Sequence, residues 1–171
     1  MAETWNGTSW SRSTLAALPA GATLGKFASV SCPATESCFA VGYSAEKAGA
    51  EKPLVESWTG TSWSIVSVPS PAEAQGFISL NSINCLSPRA CFAAGSYAPK
   101  VEAGNPTEIK PLIEALTATQ WSLQSPGVVA DFKFSGFAGV SCTSVVACTT
   151  VGTKSTALQG EAVSTLAERY G

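Results

Sequence analysis

The 171-residue chain contains no histidine and only one aspartate, Asp131. Without imidazole no side chain titrates unaided near neutral pH as a general base, which removes the usual Ser-His-Asp and Cys-His arrangements. One aspartate cannot build an EF-hand type of calcium cage, and zinc sites on paired cysteines would lack their remaining ligands, so neither metal nor cofactor is expected. Charge is scarce as well: Asp, Glu, Lys and Arg make up 13% of residues, about half the ~25% of a typical soluble domain. Less surface than usual is then destined for bare water, which points to burial by a partner or by self-association. The ten Lys and Arg are dispersed and the net charge is −2, so the basic stripe that nucleic acid or an anionic membrane would need is missing. No apolar run approaches the ~18 residues of a membrane span, and no Gly-rich phosphate loop follows a strand. Met1-Ala2-Glu3 opens directly in a repeat with no hydrophobic signal segment. The expectation is that a native leader has been trimmed away or that the protein stays inside the cell.

What the chain does contain is repetition. Leu54-Val55-Glu56-Ser57-Trp58 recurs as Leu112-Ile113-Glu114-Ala115-Leu116 and as Leu166-Ala167-Glu168-Arg169-Tyr170, and Glu3-Thr4-Trp5 carries the tail of the phrase. The four glutamates are spaced by 53, 58 and 54 residues, a period that signals stacked structural units. Cysteines keep the same beat, as Cys32/Cys38, Cys85/Cys91 and Cys142/Cys148, each pair enclosing five residues rich in turn formers. If the flanks are antiparallel strands, each pair sits about 4.5–5.5 Å apart at Cα, within reach of a disulfide. Local hairpin staples worth about 2 kcal/mol each follow. They imply an oxidising, secreted or extracellular setting, the alternative being reduced, buried cysteine in a cytosolic protein.

Apolar runs of four to six residues, rich in Val, Ile, Phe and Trp and bounded by Gly, Pro, Ser or Thr, predict strands, and no helical periodicity competes. In the middle repeat, strands are expected over 80–85 and 91–97 around a turn at Ser87-Pro88. A longer connection then leads to strands over 111–116 and 121–124. Four antiparallel strands per fifty-odd residues have the layout of a β-propeller blade.

The phrases WNGTSWS, VSC-x5-C, AVGY and LVE-x-W resemble the repeat found in tandem in secreted, actinobacterial-type β-propeller proteins, related in layout to kelch and Asp-box propellers. The resemblance spans essentially the whole chain. It implies that Val30-Ser31-Cys32 lies on an innermost strand and that Trp10, Trp63 and Trp121 begin outermost strands. The turns Asn6-Gly7-Thr8-Ser9 and Thr59-Gly60-Thr61-Ser62 lack the Asp-box aspartate, which weakens any link to sialidase-like enzymes.

Trp5, Trp10, Trp58, Trp63 and Trp121 recur at fixed repeat positions, as packing between blades would require. Stacking on a sugar ring is the alternative, and exposure discriminates the two. Glu3, Glu56, Glu114 and Glu168 fit a role accepting backbone N–H bonds or facing solvent, although two glutamates would suffice for glycoside hydrolysis. Arg12, Arg89 and Arg169 occupy three different repeat positions and form no anion clamp. The reading is a non-catalytic binding or scaffold module, with a carbohydrate-binding lectin as the alternative and a glycosidase as a remote one.

Strand counting gives three four-stranded blades, over about 19–71, 72–127 and 128–171, with the outer strand of the last supplied from 3–18 at the other terminus. Propellers have about four to eight blades. Two chains would give a six-bladed homodimer in which the N-terminal strand of one completes the C-terminal blade of the other.

Overall fold

The computed structural model describes residues 1–47, 49–127, 132–157 and 163–170, and it is all-β among them. Asp131 lies outside the described residues. Thirteen strands follow one another: β1 (Ala2–Trp5), β2 (Trp10–Ser13), β3 (Ala22–Ala34), β4 (Ser37–Glu46), β5 (Glu51–Trp58), β6 (Trp63–Val66), β7 (Ile78–Ser87), β8 (Ala90–Glu102), β9 (Asn105–Thr117), β10 (Gln120–Gln124), β11 (Phe134–Ser144), β12 (Ala147–Ser155) and β13 (Val163–Tyr170). They form an N-terminal hairpin, β1-β2, and three antiparallel units of successive hairpins: β3 to β6, β7 to β10, and β11 to β13. A single parallel bridge between Phe134 and Ile109 joins the second and third units into one hydrogen-bonded sheet. No sheet among the described residues closes on itself.

Several strands are longer than their apolar runs suggest. Instead of a loop between Tyr97 and Pro111, β8 and β9 continue as one long hairpin that reverses at Ala103-Gly104, both at positive φ (49° and 79°). The two-residue turn twists as the strands do. Polar residues hold this extension: Lys100–Glu102 (2.8 Å) and Lys110–Glu108 (3.7 Å) pair along the arms, and register shifts on either side of Lys100 absorb Pro99. Conversely β2 stops at Ser13, short of the strand expected to Leu18, because the chain leaves the ladder there to cross onto the first unit.

One glycine position explains itself. Gly42, Gly95 and Gly152 lie opposite Phe27, Leu80 and Phe137, each beside a bulge in the inner strand. A Cβ there would strike the carbonyl oxygen of Lys26, Ser79 or Gly136. The bulge and the glycine form one device, because the extra residue pushes inner-strand backbone against the middle strand.

The three disulfides Cys32–Cys38, Cys85–Cys91 and Cys142–Cys148 form as the spacing predicts, each with Cα atoms 4.0 Å apart, closer than the range expected for an open ladder pair. Each staples the first hairpin of a unit across a two-residue turn. Such bonds fit an oxidising environment.

The core lies between units, face to face. Phe39, Val41 and Val55 of the first unit pack on Leu80, Ile83, Leu116 and Trp121 of the second. The opposite face of the second, through Phe92, Ala94, Ile113 and Ala115, meets Phe137, Val140, Cys148 and Leu166 of the third. Strands β7, β8 and β9 of the second unit are therefore packed on both sides, whereas the outer strand β10 buries Trp121 and leaves Leu123 exposed, and the first and third units each keep one outward face.

Candidate interaction surface

Two consecutive seams between units carry the same hydrogen-bond code. Ser29 and Ser31 on β3 accept the backbone N–H of Ile83 (3.3 Å) and Cys85 (3.0 Å) on β7. One unit further, Ser82 and Asn84 on β7 accept those of Val140 (3.1 Å) and Cys142 (2.8 Å) on β11. Inner strands of neighbouring units sit too far apart to share a ladder, so these short side chains satisfy inner-strand donors instead. Sequence reasoning passed over them, since serine in a strand bounded by turns reads as ordinary solvent-facing polarity.

The repeated glutamates belong to the same seams. Ala16, six residues past Trp10, donates its N–H to Glu56 (3.1 Å), and Gly127, six residues past Trp121, donates to Glu168 (2.9 Å). Glu56 is fully buried; burial raises its pKa while the Ala16 N–H opposes that. At the corresponding position before Glu114, six residues past Trp63, stands Pro69, which has no N–H to give. Glu114 is fully buried with both carboxylate oxygens unpartnered, and burial pushes its pKa up to about 8. The fourth, Glu3, is exposed and pairs with Arg12 at 3.4 Å.

The tryptophans follow the same logic. Trp63 donates its indole N–H to Ser13 Oγ (3.2 Å) on the preceding hairpin. Trp121 would need a partner at the equivalent place, but Val66 stands there, and the buried Trp121 Nε1 goes without. Its ring instead meets Phe39 edge-on at 6.1 Å. Trp58 and Trp63 face each other across their ladder at 5.7 Å and are half-buried. Trp5 and Trp10 repeat that geometry at 5.7 Å, but they are 50% and 66% exposed. The five rings therefore do not form one platform: exposure rises toward the end where no unit covers them. Trp5 and Trp10 border a cleft of about 490 Å³ whose floor is Phe27, Val30, Trp58 and Trp63.

Elsewhere Tyr97 donates to Glu73 (2.7 Å) at the edge of a cleft of about 580 Å³ that also holds Glu108 and Lys110. That bond lowers the Glu73 pKa, whereas burial and then the same bond raise that of Tyr97. Arg12, Arg89 and Arg169 are exposed on β2, in the β7-β8 turn and on β13. Among the described residues no group of three or more His, Cys, Asp and Glu stands close enough to hold a metal ion. No protein-family model, no curated protein and no solved structure matches the chain.

Proposed function

We propose that this chain is a non-catalytic β-propeller segment of three blades, secreted, which assembles through its end faces and serves as a binding or scaffold module through loops around the ring. The observation that carries the reading is the recurrence of one seam. Units related by the repeat pack face to face with the same two inner-strand hydrogen bonds, and one face-to-face contact repeated around a central axis is how propeller blades are arrayed. A repeat of this kind leaves complementary surfaces at its two ends unless the ring closes, and the 13% charge content suits that closure. With 3 + 3 blades, two copies reach a ring size that side-chain packing tolerates.

The lectin reading keeps one supporting observation, the exposed Trp5/Trp10 pair beside its cleft. Against it, the matching rings Trp63 and Trp121 serve as seam packing. Electron microscopy of the purified chain tests the proposal: a six-bladed ring is expected, and an open, curved slab of three units would refute it. Titration with a panel of glycans under tryptophan fluorescence should be flat; saturable quenching by one sugar class would replace the scaffold with the lectin.

A further inference from the structure

Both outward faces can be compared, residue by residue, with inner faces whose neighbours are known. On the third unit, Thr149, Val151, Ala167 and Arg169 hold the positions that Phe92, Ala94, Ile113 and Ala115 hold on the second. The latter four are buried under a following unit, whereas the former four are exposed, Val151 by 50%. On the first unit, Phe27 and Val30 hold the positions of Leu80 and Ile83, which the preceding unit buries to 0% and 6% exposure. Val30 is 59% exposed. The inner face of the third unit also retains an acceptor: Ser141 stands where Ser31 and Asn84 stand, and the donor it lacks is the equivalent of Cys85 N–H and Cys142 N–H, namely that of Cys32. Gly139 stands where Ser29 and Ser82 do, so one of the two bonds would be missing.

The outer edge carries a second match. Among the described residues the third unit has no fourth strand and the outer edge of β13 has no ladder partner, while β2 lies against the first unit as a fourth strand of a preceding unit should. Ala16 and Ser13 hold Glu56 and Trp63 in the way described above. What pairs with β2 is β1, in the register Ala2↔Ser13, Glu3↔Arg12, Thr4↔Ser11, Trp5↔Trp10. The sequence of β1, Ala-Glu-Thr-Trp, shares its Ala-Glu and its closing aromatic with the end of β13, Ala167-Glu168-Arg169-Tyr170. Placed in the same register, Glu168 meets Arg12 as Glu3 does, and Tyr170 meets Trp10 as Trp5 does, an opposite-charge pair and an aromatic pair of the kind that stabilises a ladder.

We propose that the outward face of the third unit docks the first unit of a second copy of this chain, and that β13 displaces the second copy's β1 from β2. This rests on the propeller reading. β1 is then a stand-in that covers the β2 edge until the partner arrives, as an exposed edge strand requires. Val151 and Ala167 cover Phe27 and Val30, and Ser141 Oγ accepts the Cys32 N–H of the second copy. Applied twice about a two-fold axis, the contact closes.

Sedimentation velocity on the full chain at roughly 50 μM, well above the micromolar range of a modest interface, should show a species of twice 17.5 kDa. V151E, at an exposed site and therefore without cost to the fold, should weaken that dimer at least about tenfold, one kcal/mol-scale step, with the circular dichroism unchanged. In the double variant Ser11→Cys with Arg169→Cys, air oxidation should give a covalent dimer on a non-reducing gel. Deleting residues 1–5 should leave the dimer as strong or stronger, because the competing strand is gone. A wild-type chain that stays monomeric overturns the docking. A dimer insensitive to V151E, one that does not cross-link through 11 and 169, or one weakened by the deletion overturns this mode and leaves the propeller reading standing. A cross-linked dimer that forms no ring under the microscope upholds the docking and sinks the propeller.

Discussion

Replacing Glu114 by glutamine keeps the shape of a fully buried side chain and removes its ability to ionise. In the wild type both carboxylate oxygens lack partners and burial holds the pKa at about 8, against an ordinary value of 4.5. The folded chain therefore binds one more proton than the unfolded chain between those two values, and stability falls as pH rises through that window. Below pH 4.5 the group is protonated in both states and contributes no penalty; above about 8 the penalty is complete. At 1.36 kcal/mol per pH unit, the fall between pH 5 and 7.5 comes to about 3 kcal/mol, a large part of the stability of a domain this size. Glu51 and Glu56, whose pKa values burial also raises, add the same sign, while Glu73, lowered first by its bond from Tyr97, adds the opposite. Only the difference between wild type and E114Q isolates Glu114. Urea melts followed by tryptophan fluorescence, at half-unit steps from pH 5 to 8.5 without reductant, should give a difference that closes toward the acid end. Parallel profiles would refute the account. P69A supplies the N–H that Ala16 and Gly127 supply elsewhere and should reduce the slope, though it forgoes the restriction proline places on the unfolded chain.

Ala118 sits at φ 59° where Gly7 and Gly60 occupy the matching turns, so A118G should stabilise by about 0.5–1 kcal/mol in the same melts. G95A drives a Cβ into the Ser79 carbonyl oxygen and should cost more than about 3 kcal/mol or prevent folding, read as loss of soluble yield and of melt cooperativity. S13A removes the partner of the Trp63 indole and should cost about 1 kcal/mol, whereas V66S, which offers Trp121 the same partner, should recover part of its own lost packing. Reduction of the three disulfides should lower the melting temperature by an amount that the urea midpoint confirms, about 2 kcal/mol per bond for such short loops.

The repeats made the all-β class and the cysteine pairs legible because both depend on local pattern: five residues between cysteines match a two-residue turn with its flanking ladder. The long β8-β9 hairpin was not legible. Its arms read Tyr-Ala-Pro-Lys-Val-Glu and Asn-Pro-Thr-Glu-Ile-Lys, with prolines and charges that suit a loop, and the ladder across a short turn keeps them extended. The glutamates could be ranked as backbone acceptors from their regularity, but not as unequal. Their inequality depends on which residue, six places beyond a tryptophan, stands some forty residues before each glutamate, and that distance is bridged by packing between units.

That inequality carries a consequence for how the array is held together. Across the seam from the hairpin to the first unit, the polar pairs Ala16–Glu56 and Ser13–Trp63 are both made. Across the seam from the first to the second unit, Pro69 and Val66 remove both, while Val66 and Val68 join the largest apolar cluster among the described residues. Unpaired buried groups cost free energy and apolar burial offsets it, so this seam exchanges specificity of register for packing. Where the second unit meets the third, the glutamate bond returns through Gly127 and Asn81 adds a bond to the Phe137 carbonyl (2.8 Å). Polar pairs tolerate exposure to water during opening and reclosing better than a dry cluster with an ionisable carboxylate inside it. Rising pH should therefore loosen the first-to-second seam before the others, and hydrogen exchange at Ile83 and Cys85 N–H, which cross that seam to Ser29 and Ser31, should accelerate between pH 5 and 8 beyond the intrinsic rate more than at Val140 and Cys142. Equal acceleration at both pairs would place the pH response in global unfolding and not in the seam.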